Sequence, residues 1–237
     1  SGAALGQWQI NIPDPTDWEA MDSFVIDDIA YLLLADTGDN LRWRPHVSLI
    51  VIAEPPIDSN NEIPLEPIWQ KNFRYPDGPR DIEAVAVDTS RGEVLFLSKR
   101  NMPNELYGIP LAQIRALDDT MLVADKIADI HSIPRLSRGQ ESLFGGAAPY
   151  MGMPTGMSIN ANHLLVTTMQ NAYLLNRDNL VEPALAIRLP YIGQREAITF
   201  ARSTNNSAYV SRERVAGKEV ADIFRVDFAL PQTPSAE

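Results

Sequence analysis

Asp81-Ile82-Glu83-Ala84-Val85 is the stretch on which the fold turns, because it recurs. Three other segments align with it: Asp17-Trp18-Glu19-Ala20-Met21, Met153-Pro154-Thr155-Gly156-Met157 and Gln194-Arg195-Glu196-Ala197-Ile198. Each presents Glu or Thr, then Ala or Gly, then an apolar residue. A second apolar run follows each one, at residues 31–36, 94–99, 163–168 and 208–212. A third follows at 47–52, 105–111, 172–175 and 222–228, and a fourth in three cases, at 68–75, 121–127 and 184–189. The runs are short, rich in β-branched and aromatic residues, and bounded by turn residues, which is the pattern of strands. Four antiparallel strands per unit, repeated at intervals of tens of residues, predict an all-β β-propeller.

The expected organisation is a single β-propeller domain over residues 1–237, with four four-stranded blades visible. A β-sandwich is the alternative, but it does not require the repeated Glu-Ala start. The last unit lacks a fourth strand, since the chain closes on Pro231-Gln232-Thr233-Pro234. The segment Gln7-Trp8-Gln9-Ile10-Asn11-Ile12 alternates cleanly and is expected to pair with residues 222–228, closing the ring and protecting its edges. Only residues 110–119 read as a helical turn, so helix should stay below roughly 10% of the chain.

The composition narrows the function. With 20 Lys plus Arg against 31 Asp plus Glu, the net charge is −11, which argues against a nucleic-acid partner. Such a surface suits solubility, cations or basic partners. The absence of cysteine removes disulfides, thiolate metal sites, iron–sulfur clusters and cysteine nucleophiles. No apolar run reaches the roughly 18 residues of a membrane span, and no signal peptide stands at the start. The sequence lacks G-x-S-x-G, H-E-x-x-H, P-loop and G-x-G-x-x-G motifs, which argues against serine hydrolases, zinc proteases, NTPases and Rossmann oxidoreductases.

Four motifs occur in a fixed order: Asp17-Trp18-Glu19, then Asp36-Thr37-Gly38-Asp39-Asn40, then Tyr75-Pro76-Asp77-Gly78-Pro79-Arg80-Asp81-Ile82-Glu83-Ala84, then Arg195-Glu196-Ala197-Ile198. In order and spacing this set resembles a group of bacterial exported β-propeller proteins of poorly defined function, over essentially the whole chain. The Tyr75–Ala84 stretch is its most specific part. The resemblance implies a secreted or periplasmic protein and no particular reaction. Members of that group carry a further blade before the Asp-Trp-Glu motif. Residues 2–10 read like the final strand of such a blade, so the resemblance implies five blades if that one is missing here.

The innermost strands of a propeller crowd a central channel, where Ala20, Ala84, Gly156 and Ala197 would fit. Glu19, Glu83 and Glu196 each precede one of these small residues. They are expected within about 10 Å of one another at one channel mouth, where an oxygen-only donor set suits Ca²⁺. The alternative is that each Glu caps backbone amides of a neighbouring blade. Thr155 breaks the carboxylate series. Asp36, Lys99, Thr168 and Arg212 end the second strands and are expected to line a ligand pocket or form salt bridges. Residues 36–40 read as the start of a calcium loop or as an Asx turn. The irregular stretch 129–153, with His131, is long enough to be a binding loop.

Three functions remain in view. The first is an exported binding or scaffold module that takes a protein or small-molecule ligand at the channel mouth, with a channel cation as a stabiliser. The second is a calcium-dependent hydrolase of esters, lactones or phosphoesters. The third is a structural subunit of a larger assembly.

Overall fold

Strict alternation builds the first blade. On Ile29–Asp36, Leu33 is buried in one apolar cluster while Leu34 is buried in another, on the opposite face. The same period of two runs through Val47–Ala53, where Leu49 and Val51 face the first cluster and Ile50 and Ile52 the second. A strand buried on both faces belongs inside a stack of sheets.

The computed structural model describes residues 6–12, 15–56, 63–190, 193–202, 204–213 and 223–230. It divides into two compact units, Ser1–His131 and Ser132–Glu237. In the first unit one sheet orders β1 (Ala20–Ile26), β2 (Ile29–Asp36), β3 (Val47–Ala53) and β4 (Trp69–Arg74) as consecutive antiparallel neighbours. The next comprises β5 (Ile82–Asp88), β6 (Glu93–Ser98), β7 (Asn104–Pro110) and β9 (Asp125–Ile130). A two-residue strand, β8 (Leu122–Val123), joins the edge of the first sheet, parallel to β4. In the second unit β10 (Pro154–Ile159), β11 (His163–Thr168), β12 (Asn171–Asn176) and β13 (Leu185–Arg188) form a third sheet. β14 (Arg195–Phe200), β15 (Ser207–Arg212) and β16 (Ile223–Asp227) form a fourth, of three strands. The fold is all-β, built of four β-propeller blades, and about 7% helical.

The repeat is physical as well as textual. In β5, β10 and β14 the pairing slips by one residue: between Ile82 and Ala84, between Pro154 and Gly156, and between Arg195 and Ala197. The residue squeezed out of the ladder is Glu83, Thr155 or Glu196, a β-bulge at the same place in three blades. In the first blade the backbone N–H of Glu19 instead donates to Ala35 O at 3.1 Å, with no slip.

A second equivalence was not read from the sequence. Two residues past the small residue, Asp22 in β1 accepts the N–H of Val87 in β5 at 2.7 Å. At the same repeat position, Ser158 in β10 accepts the N–H of Phe200 in β14 at 3.1 Å. Each donor lies three residues past its own small residue, so both units use one side-chain staple between consecutive blades. Gly156 explains the small-residue rule there: a Cβ would lie 3.1 Å from Glu196 O and 3.2 Å from Ala197 Cα.

Three expectations are corrected. Residues 7–12 do not extend the fourth sheet. Asn11 N–H donates to Leu65 O and Leu65 N–H to Gln9 O, both at 2.8 Å, and Ile10 and Ile12 pack on the Leu34–Ile50–Ile52 face of the first blade. Burial of those two isoleucines selects that site. The partner proposed for this segment, 222–228, is described only from Ile223. Residues 121–127 are two strands, because Ala124, 1% exposed, donates to Arg74 O and turns the chain between β8 and β9. The stretch 129–153 is not irregular: it holds α1 (Arg138–Phe144) and a 3₁₀ turn, Gly145–Tyr150.

Candidate functional site

The repeat brings Glu19 and Glu83 together in the first unit. Glu83, the bulge residue, is 4% exposed, and Lys99, just past β6, is 7% exposed. The Lys99 ammonium donates to Glu83 Oε1. Glu19 lies beside them, and its carboxyl is pushed up to about 8. Burial is the first cause, followed by the negative charges of Glu83 and Asp17, against the opposing pull of Lys99. A hydrogen bond to Asp17 favours the protonated form further. Gly38 closes this cluster: a Cβ there would sit 2.3 Å from Asp17 Oδ2 and 2.8 Å from Glu19 Cγ.

Glu19 therefore binds its proton more tightly in the folded chain than in the unfolded one. A folded value of about 8 against an ordinary 4.5 means the folded state holds more protons across that interval. Stability must then fall as pH rises from about 4.5 to about 8 and level off above it. Glu19→Gln keeps a donor for Asp17 but no ionisable group. It is expected to match the parent at pH 5 and to melt about 2–8 °C higher at pH 8.5, for about 1–2 kcal/mol of relieved charge. Thermal melts across pH 4.5–9 check this; parallel curves for the two proteins would contradict it.

Glu196 sits in the second unit as the bulge residue of β14. Its neighbour Arg195, 1% exposed, donates to the carbonyls of Met169 and Pro190 and is part of the scaffold. Among the described residues no group of three or more His, Asp or Glu side chains is disposed to hold a metal ion. The positive charge beside Glu83 is the ammonium of Lys99.

The ends of the second strands hold a correction. The ladder sets Ser98, Thr168 and Arg212 opposite the residues preceding the bulges, so Ser98, not Lys99, is their counterpart. The apolar run was carried one residue past the end of β6, which stops at Ser98. Thr168 caps the β11–β12 turn: its hydroxyl donates to Asn171 O at 3.0 Å and accepts from Gln170 N and Asn171 N. Arg212 pairs across the ladder with Arg195. Asp36 is held by the amides of Thr16 and Asp17 at 3.0 and 2.8 Å and by Arg44 at 2.9 Å. Burial pushes its carboxyl up, but these contacts outweigh it and hold the pKa below the usual carboxylate value.

In residues 36–40 both aspartates serve as acceptors for backbone amides, Asp36 for residues 16 and 17 and Asp39 for residues further along the loop. Both Asp39 oxygens are taken, one by Trp43 N–H and the other by Arg44 N–H, each at 3.0 Å. Asp39 N–H donates in turn to Asp81 Oδ1 at 3.0 Å, and Asp81 Oδ2 pairs with Arg100 at 2.5 Å. The Thr37 hydroxyl donates to Ile82 O at 2.9 Å. This loop thus joins the two blades of the first unit.

Asp36 also borders an opening that the sequence reading did not foresee. Two cavities of about 120 and 160 Å³ lie in the first unit and share Arg44 and His46 as walls. The smaller is lined by Phe73, Arg74, Tyr75 and Arg80 as well. The larger is lined by Trp18, Asp36, Ser48 and Gln70. The walls are fixed: Arg44 bonds Asp36 and Gly38 O, and Arg80 bonds Glu105 at 2.5 Å and the carbonyls of Asp77, Gly78 and Pro79. Glu105 is held further by Asn101, Tyr107 and Lys126.

Tyr75 packs between Phe73 and Tyr107, with ring centroids 5.4 and 5.0 Å away. Its hydroxyl is buried without a hydrogen-bond partner among the described residues. Buried polar groups are ordinarily paired, and an orphan costs about 1–3 kcal/mol. Burial first, then Tyr107, raises the hydroxyl well above the ordinary tyrosine value, while Arg44 and Arg80 pull the other way. The Tyr75-Pro76-Asp77-Gly78-Pro79-Arg80 segment did stand out in the sequence; its pairing with residues 44–46 did not, because that contact is long-range.

Neither a protein-family model nor a curated protein matches the sequence. Among solved structures the chain is similar to the hydrazine synthase of Kuenenia stuttgartiensis at 8% identity and a TM-score of 0.42, over 83% of this chain and 42% of that one. It is similar to the PQQ-bound aldose sugar dehydrogenase of Streptomyces coelicolor at 12% identity and a TM-score of 0.39, over 85% and 59%. A functionally unknown protein from Desulfotomaculum acetoxidans gives 12% identity and a TM-score of 0.42, over 94% and 74%. The chain thus spans less than two thirds of the length of the first two.

Proposed function

We propose that this chain is an exported binding module whose recognition site is the cleft around Arg44 and His46 in the first unit. One observation carries the reading: two adjoining cavities share walls that internal ion pairs hold in place. Rigid walls spare a ligand the cost of ordering side chains, one of the entropic costs of recognition. Trp18, 42% exposed, adds an aromatic face at the rim of the larger cavity. The exported part rests on the resemblance of the Asp-Trp-Glu and Tyr-Pro-Asp-Gly motifs to bacterial exported propellers. Among the described residues no helix is long and apolar enough to cross a membrane.

A thermal-shift screen of small polar fragments against the whole chain tests the reading. Hits should raise the melting temperature by mass action, and His46→Ala and Trp18→Ala should abolish or reduce those shifts. Hits indifferent to both changes would place recognition elsewhere.

A second reading keeps calcium. Glu19, Glu83 and Asp17 concentrate carboxyl groups in the first unit, and after burial their mutual repulsion is the next cause that raises Glu19. A dication bound by Glu19 and Glu83 would relieve it, but only by displacing the Lys99 ammonium from Glu83. A calcium arm in the same screen separates the readings. Stabilisation by calcium, reversed by chelator and lost in Glu83→Gln, supports the ion; equal melting with and without chelator rejects it.

A further inference from the structure

We infer that the smaller cavity is an anion site, built for the carboxylate or phosphate group of a small molecule; this rests on the cleft being the recognition site. The chain carries a net charge of −11, yet Arg44, Arg74 and Arg80 all border this one cavity of about 120 Å³. The acid beside them, Asp39, has both oxygens filled by backbone N–H groups, so it does not turn towards the arginines. Arg44 and Arg80 are each anchored by one carboxylate, Asp36 at 2.9 Å and Glu105 at 2.5 Å. Arg44 bonds through Nη1 alone and so keeps its Nε and Nη2 N–H groups in a fixed plane, the geometry that carboxylate and phosphate oxygens match. Arg80, with Nε on Glu105 and Nη1 on three carbonyls, adds mainly its charge.

Arg74 differs from both. It is exposed and makes no ion pair among the described residues. It therefore supplies the charge that a ligand would neutralise. A second, independent observation is the Tyr75 hydroxyl, on a side chain 3% exposed that lines the cavity and has no partner among the described residues. Buried hydroxyls seek partners, and a ligand oxygen would be one. The apolar wall of Val47 and Phe73 leaves room for a short aliphatic body beside the charged group. The cavity volume limits that body to a few heavy atoms.

The test titrates the full chain with succinate, inorganic phosphate and neutral succinamide by calorimetry, at low and at physiological ionic strength. At least one of the two anions is expected to bind, more weakly at higher salt, while succinamide does not. Arg74→Gln should weaken the anion at least tenfold and leave the unliganded melting temperature unchanged. Tyr75→Phe removes only an unpaired hydroxyl, so it should melt at or above the parent temperature and bind the anion several-fold more weakly. Preference for succinate or for phosphate identifies the group. Succinamide binding as tightly as succinate overturns the inference, as does anion affinity unaltered in both variants. A neutral fragment that binds the cleft while neither anion does overturns the inference and spares the recognition site; no binding of any compound there sinks both.

Discussion

Replacing Lys99 with methionine should destabilise the chain by about 3–5 kcal/mol, which is on the order of 10 °C in melting temperature. The side chains of Lys99 and Glu83 are 9% and 5% exposed, and the ammonium donates to Oε1. Methionine preserves most of the volume and removes the charge. The Glu83 carboxylate would then stay buried without the ammonium that faces it, next to the proton-sharing Asp17–Glu19 pair. A buried charge stripped of its partner is far more costly than a buried pair replaced whole. The Lys99→Met, Glu83→Gln double variant should accordingly recover more than half of the loss. Chemical denaturation of the parent, both singles and the double closes the cycle. A loss below about 1 kcal/mol in Lys99→Met would show that this pair is not a structural element.

Asp22→Ala should cost about 1–3 kcal/mol, because the N–H of Val87 loses its acceptor where two blades meet. The carboxyl of Asp22 is pushed up to about 6, by burial against the pull of the Val87 and Ser23 amides. At pH 7 it accepts as an anion, and charged acceptors hold more tightly than neutral ones. Ser158→Ala removes the matching neutral acceptor from Phe200 N–H in the second unit, so it should cost less, about 1 kcal/mol. Urea melts at pH 7 give both values. If Ser158→Ala is the more damaging of the two, the staple is not equivalent in the two units.

The legible part of the fold was whatever short-range alternation dictates. Residues 47–52 were read as a strand, one residue short of β3, because every side chain there is apolar or small and the turns on both sides are marked. What escaped depends on contacts between distant residues. Ile10 and Ile12 alternate like any strand, and nothing local says that Leu65 is their neighbour. Where a strand stops is set by its ladder partner and not by composition, so Lys99, one residue past β6, was matched one position late.

The candidate sites divide in the same way. Glu19 and Glu83 were picked out by their repeat position, and the structure does bring them together. Their neighbour Lys99 was assigned to a different ring, because a sequence cannot show which buried acid a lysine reaches. The Arg44–His46 cleft was missed for a related reason. Its walls come from residues 44–47 and 73–80, which only the β3–β4 pairing makes adjacent: Val47 faces Phe73 in that register.

Backbone amide spectra of the isotope-labelled full chain, recorded while small anionic and neutral fragments are titrated in, test the recognition site most directly. Binding at the cleft predicts shifts confined to residues 44–50 and 70–80 together with Trp18 and Asp36, with those of Arg74 and Tyr75 largest for anions and attenuated in Arg74→Gln. Saturable shifts centred on residues 163–168 or 207–212 instead, with the 44–50 and 70–80 amides unmoved, would contradict it.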